Sequence, residues 1–79
     1  MAPEAKYSRS DFVAVLAGSI SSAVAEEKIV EAASLLQLST ETFTPRDAQA
    51  ILEHIAQESG LVGIAARFAK SRVALRWKK

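Results

Sequence analysis

His54 is the only side chain here whose ordinary pKa lies near neutrality, so general acid–base chemistry would have to start from it. Glu58 follows it by one helical turn. That spacing suits a proton relay, but it is equally the spacing of a solvated pair at the edge of an apolar face. No motif fixes a serine or threonine beside the pair, and nucleophilic catalysis needs nucleophile, base and orienting group together. The expectation is therefore a protein that is not an enzyme. Glu26, Glu27 and Glu31 form an acidic cluster, but the spacing and the glycine of a calcium loop are missing, so they read as a solvated helix start. Cysteine is absent, which excludes disulfides, thiolate zinc sites, iron–sulfur ligation and cysteine nucleophiles. A single histidine excludes His-rich metal sites, and three glycines with two prolines leave no Gly-rich phosphate loop. No cofactor is expected.

The charge distribution is more informative. Residues 1–60 hold nine acids and four bases, whereas residues 61–79 hold six bases and no acid. The bases are Arg67, Lys70, Arg72, Arg76, Lys78 and Lys79, and Trp77 stands among the last of them. Such asymmetry fits contact with an acidic partner, nucleic acid or anionic lipid. It also fits a favourable helix C-terminus, or pairing with the chain's own acidic helices. Trp77 either anchors a partner, as a tryptophan flanked by bases suits, or caps the end of the bundle, and these seven residues are the expected partner-binding set.

The helix that carries these bases should begin near Leu61, after Gly60, and run to Trp77. From Leu61 to Val73 it is apolar over most of its circumference, so Leu61, Ile64 and Phe68 are expected in the core. After Val73, arginines occupy the same arc, so Arg72, Arg76, Trp77 and Lys78 are expected at the surface. The run Ile55-Ala56, Ser59-Gly60-Leu61, Ala66 and Ala69 loosely follows helix–turn–helix spacing, which would present Arg67, Lys70 and Arg72 to DNA. Against this, position 63 is glycine, the helix is very apolar for a surface reader, and it carries no Asn or Gln to read bases.

Three further helices must position that one. Ser8 with Asp11 three residues on, flanked by Tyr7 and Phe12, forms a capped start. Phe12, Leu16, Ile20 and Val24 then share one face. The next apolar set (Ile29, Val30, Ala33, Leu36) is rotated by roughly 130° on the wheel, which predicts a break within Gly18–Ala25. A second helix should run from about Ala23 to Leu38. The third start is the clearest, with Thr44 as cap, Pro45 in the first helical position and Asp47 in the third. That helix should continue to Ser59. The two starts echo one another: Tyr7-Ser8-Arg9-Ser10-Asp11 resembles Phe43-Thr44-Pro45-Arg46-Asp47 at an offset of 36 residues. A shared capping solution accounts for the echo; two helical hairpins related by a repeat would also do so.

The fold expected is all-α, a compact bundle of about four helices or two stacked helical hairpins, over residues 7–79, with residues 1–6 as a tail. With 49% hydrophobic residues, 24% charged residues and a net charge of +1, the composition is globular rather than disordered. So short a chain without disulfides sits near the margin for folding alone, which favours a self-association surface. The longest uncharged run, Phe12–Ala25, is too short to span a bilayer. Lys6, Arg9 and Ala23-Val24-Ala25 have some of the shape of a signal peptide, but Glu4 and Asp11 lie in the region that should be basic. A cytoplasmic location is therefore expected. The function expected is a helical protein–protein interaction module, an adaptor or docking domain, that binds a partner protein or itself through the fourth helix and the basic Trp77 end. The alternative is a small helix–turn–helix DNA-binding protein, and a peripheral binder of anionic membrane is a third reading.

Overall fold

Both capping sequences fold as capping boxes, and the chain is organised around them. In the computed structural model, which describes residues 6–77, Ser8 accepts from the Asp11 N–H at 3.2 Å and Asp11 accepts from the Ser8 N–H at 3.1 Å. Thr44 and Asp47 repeat the exchange at 3.1 and 3.2 Å, with Pro45 in the first turn where its missing N–H costs nothing. Each box opens a helix: α1 covers Arg9–Leu16 and α3 covers Pro45–Ile55. Each is followed by a second helix, α2 at Ser22–Leu35 and α4 at Leu61–Arg76. The architecture is thus a small all-α bundle of four helices, arranged as two hairpins.

The dipeptides before the two boxes hold the hairpins together. Tyr7–Ser8 (β1) and Thr42–Phe43 (β2) pair antiparallel, with Tyr7 opposite Phe43 and Ser8 opposite Thr42. Tyr7 and Phe43 are the equivalent residues of the 36-residue echo, so the bridge lies on a local two-fold relating one hairpin start to the other. Around it α1 packs on α2 and α4, while α3 packs on α4 and α2. Arg9 fastens the same corner, donating to the Thr40 carbonyl at 2.7 Å and pairing with Glu26 at 3.3 Å.

The predicted break in the first apolar stripe is present: α1 ends at Leu16, and Ser21 caps α2 by accepting from the Val24 N–H at 3.2 Å. The second helix stops three residues short of Leu38. Gln37 takes a left-handed φ of 60°, its N–H reaches the Ser34 carbonyl, and the Leu38 N–H reaches the Ala33 carbonyl at 2.8 Å. These are the two bonds of a Schellman stop, made here by glutamine in the place glycine usually takes. The third helix likewise ends at Ile55 rather than Ser59, and residues 56–60 turn the chain. Gly60 closes that turn at φ 80°, ψ −159°, a conformation open essentially to glycine alone. Of the expected tail, only Lys6 lies within the described residues, as exposed coil.

Apart from Val73, the largest buried side chains come from outside α4. Phe12, Leu16, Ile29, Phe43, Ile51, Leu52 and Ile55 are buried, whereas α4 contributes Ala65, Ala66, Ala69 and Val73. Small residues line the buried side of α4, and Gly63 packs against the turn that joins α3 to α4. A Cβ there would stand 1.9 Å from the Glu58 carbonyl oxygen and 3.2 Å from that of Ala56. The expected placement of Leu61, Ile64 and Phe68 in the core is therefore wrong. They are 67%, 48% and 60% exposed, because the space beneath α4 admits only its alanine side.

Trp77 also departs from its expected surface position. It is half-buried, stacked on Tyr7 with ring centroids 4.1 Å apart and edge-on to Phe12 at 5.5 Å. Phe12 in turn meets Phe43 edge-on at 4.9 Å. An aromatic chain thus joins the end of α4 to the β bridge. Such ring pairs contribute beyond their buried area.

Three stability measurements check this account by urea unfolding. Thr44→Ala should cost about 1 kcal/mol through the lost cap, and an unchanged midpoint would mean the α3 box is not formed. Gly63→Ala should cost about 1–3 kcal/mol because backbone carbonyls must move, while Gly18→Ala, whose added carbon would meet only the Arg72 guanidinium at 3.7 Å, should be neutral. Equal effects at the two glycines would refute the close packing of α4 on the turn before it. Trp77→Ala should cost about 2 kcal/mol, less than a fully buried tryptophan, and loss of the α4 bases without loss of Trp77 should cost far less.

Candidate functional site

On α4 the buried alanines define one face, and the residues left over define another. At 100° per residue, Leu61, Ile64, Phe68 and Leu75 fall within about 60° of arc, roughly 125° from the buried side. Leu75 is the most exposed of them at 82%. The helix therefore carries small residues inward and large apolar residues outward, the reverse of an ordinary amphipathic helix. The stripe runs the length of α4, about 20 Å at 1.5 Å per residue. Isolated exposed leucines are ordinary; four large apolar side chains on one helix face, interrupted at Ser71, form a patch that calls for cover.

Arginines border the row. Arg67 lies on one side, with Arg72 and Arg76 on the other, and all three are exposed. Arg72 is held in place by donating to the Val15 carbonyl at 3.0 Å, so the end of α1 forms a shoulder along that side. Both salt bridges among the described residues, Arg9–Glu26 and Lys28–Glu58, lie off α4. Glu26 and Glu58 pair with Arg9 and Lys28, bases outside α4, and the charge of α4 is left to face outward.

The expected binding residues thus divide. Arg67, Arg72 and Arg76 flank the apolar row. Lys70 is half-buried on the side facing α3, where its carbonyl accepts from Gln49 Nε2 at 3.1 Å. Trp77 is turned into the aromatic chain rather than outward. Lys78 and Lys79 lie outside the described residues. An open groove of about 560 Å³ lies at the foot of the row, lined by Tyr7, Asp11, Val15, Arg72, Arg76 and Trp77. The wide apolar arc leads sequence reading to place Leu61, Ile64 and Phe68 in the core, and it does not single out Leu75. The signal for an outer row is present, since a helix apolar over most of its circumference needs cover on more than one side.

The groups with potential chemistry do not converge. Glu58 is engaged by Lys28 at 3.0 Å. That hydrogen bond raises the Lys28 pKa above its ordinary value; desolvation opposes the shift, and the charges of Glu58, Glu31 and Glu27 add to it. A raised lysine pKa means the pair contributes at neutral pH and loses that contribution as pH rises through the raised value. Glu26 is taken by Arg9. A larger groove of about 650 Å³ along α1, between Arg9, Val13, Ala17 and Glu26, has Arg9 and Glu26 committed to each other, with Glu41 also in its lining. Among the described residues no three histidine, aspartate or glutamate side chains are grouped as metal ligands, and no helix is long and apolar enough to cross a membrane. Set beside models of protein families, curated proteins and solved structures, the chain matches none.

Proposed function

We propose that this chain is a non-enzymatic docking module that works in the cytoplasm and binds a partner through the outer face of α4. One observation carries the reading: α4 turns its alanines to the core and Leu61, Ile64, Phe68 and Leu75 to solvent. Burying a large apolar side chain contributes about 1.5–3 kcal/mol, and the fold forgoes that gain four times on one helix. A surface that keeps such residues in a row gains by covering them with another molecule. The partner-binding set becomes Leu61, Ile64, Phe68 and Leu75 with Arg67, Arg72 and Arg76, while Trp77 supports the end of the helix from behind.

The same observation weighs against duplex DNA as the partner. In a helix–turn–helix the first turns of the second helix approach base edges. Here those turns expose Leu61 and Ile64, which offer a base edge no hydrogen bond. Arg67 and Arg72 remain available to phosphates, which would give weak, salt-sensitive contact without sequence preference.

The proposal is tested with Phe68→Ser combined with Leu75→Ser, and with a photo-crosslinking residue placed at Ile64 in the living source cell. The double variant should keep its unfolding free energy within about 0.5 kcal/mol, as exposed positions do. The Ile64 probe should give a discrete protein adduct that the double variant abolishes. An Ile64 probe that yields no adduct, or one indifferent to the serine substitutions, would remove the docking function. A mobility shift on duplex DNA that survives both serines would favour the DNA reading in its place.

A further inference from the structure

We infer that the outer face of α4 is one half of a two-helix seam, and that the other half is a partner's amphipathic helix whose apolar row is bordered by aspartate or glutamate. This rests on the docking function above and adds the chemistry of the occupant.

The spacing is the first ground. Leu61, Ile64, Phe68 and Leu75 are separated by three, four and seven residues. Ser71 divides the last interval into three and four, completing the alternation of a heptad seam over two repeats. A row only about 60° wide with this period is the narrow stripe of helix-on-helix packing. A helix lying in a bilayer interface needs a broader apolar face opposite its charges.

Charge is the second ground, and it decides between a second copy and a different partner. Counted in the same repeat, Arg67 precedes the Phe68 seam position and Arg72 follows that of Ser71, so both occupy the flanking sites that face a partner's flanking sites. In a parallel pair of identical α4 helices, Arg67 would meet Arg72. In an antiparallel pair each would meet its own copy. Either arrangement sets like charges opposite one another, and Arg76 adds to the repulsion. α4 has no acid to relieve it, and neither salt bridge among the described residues reaches α4. An acid-bordered helix turns each of these contacts from repulsion to attraction, which supplies selectivity as well as affinity.

The test uses two designed helical peptides with the same leucine seam over four heptads. One carries glutamate at every flanking site, the other lysine. The intact protein should bind the glutamate peptide at least about tenfold more tightly than the lysine peptide, with a preference that shrinks as salt is added. Arg67→Glu with Arg72→Glu should reverse the order. Because Arg72 also holds Val15, Arg67→Glu alone is the second variant, and it should narrow the preference if the double variant is not folded by circular dichroism. Equal affinity for the two peptides, or a preference that survives reversal, overturns the inference. So does concentration-dependent dimerisation that Phe68→Ser removes, which would make a second copy the occupant. Binding to phosphatidylserine vesicles with no peptide binding overturns it in favour of a lipid surface. If neither peptide binds while the Ile64 crosslink still forms, the docking function stands and the acidic helix falls; if the crosslink fails as well, both fall.

Discussion

The seating of α4, on the turn that precedes it and on α3, is the constraint from which the rest of the molecule follows. Gly63 has no room for a Cβ against the Glu58 carbonyl of that turn, and Ala65, Ala66 and Ala69 are sealed beneath the helix. A helix seated this way brings glycine and alanine to the contact, with Val73 the largest of its fully buried side chains. Large ones must then come from the facing elements, and they do: Ile51, Leu52 and Ile55 from α3, Phe12 and Leu16 from α1, Ile29 from α2. The same seating forces the large apolar residues of α4 to the far side. The exposed row is therefore a consequence of how the core is packed. Replacing it with polar residues would leave the core as it is, which is why its retention asks for an explanation outside the monomer.

The ends of α4 are fixed by different means. At its start, Gly60 adopts backbone angles closed to other residues, and no side chain caps the helix. At its end, Trp77 stacks on Tyr7 and meets Phe12. Tyr7 also forms the bridge with Phe43, so one small corner joins both hairpin starts to the last turn of the last helix. Local rules made most of this readable in advance. Capping boxes, Pro45 and Gly60 are short-range signals, and each lies where its local chemistry puts it. The stripe rotation near Gly18 is likewise a property of one helix at a time. Helix ends read less well: α2 stops at a Schellman turn built on Gln37, and nothing in a glutamine announces a left-handed φ.

The orientation of α4 was not readable by the same means. Its two apolar faces, one of alanines and one of leucine, isoleucine and phenylalanine, have equal claim by periodicity, and size favours the wrong one. Only the space left by the other three helices decides, and that is a property of the assembled core. Trp77 failed for a related reason. Its basic neighbours describe the surface of the helix end, while its ring is claimed by Tyr7, seventy residues upstream in the chain. The 36-residue echo, by contrast, held more than capping: it marks the two residues that pair across the β bridge.

A fold this small has a narrow margin, and α4 links that margin to its occupant. A ligand that binds only the folded chain stabilises it by an amount set by concentration relative to Kd, about 2.7 kcal/mol at a hundredfold excess over Kd. That is a large fraction of what a short domain without disulfides can hold. The arginines bordering the row bear on the same balance. Under the proposed docking they would keep identical rows apart when no partner is present, since α4 against α4 sets base against base, and would attract an acidic helix. Apolar contact would supply the gain on closing the seam, and charge would decide which helix closes it. Those two roles fall on different residues, so affinity and selectivity can be altered separately on one face of one helix.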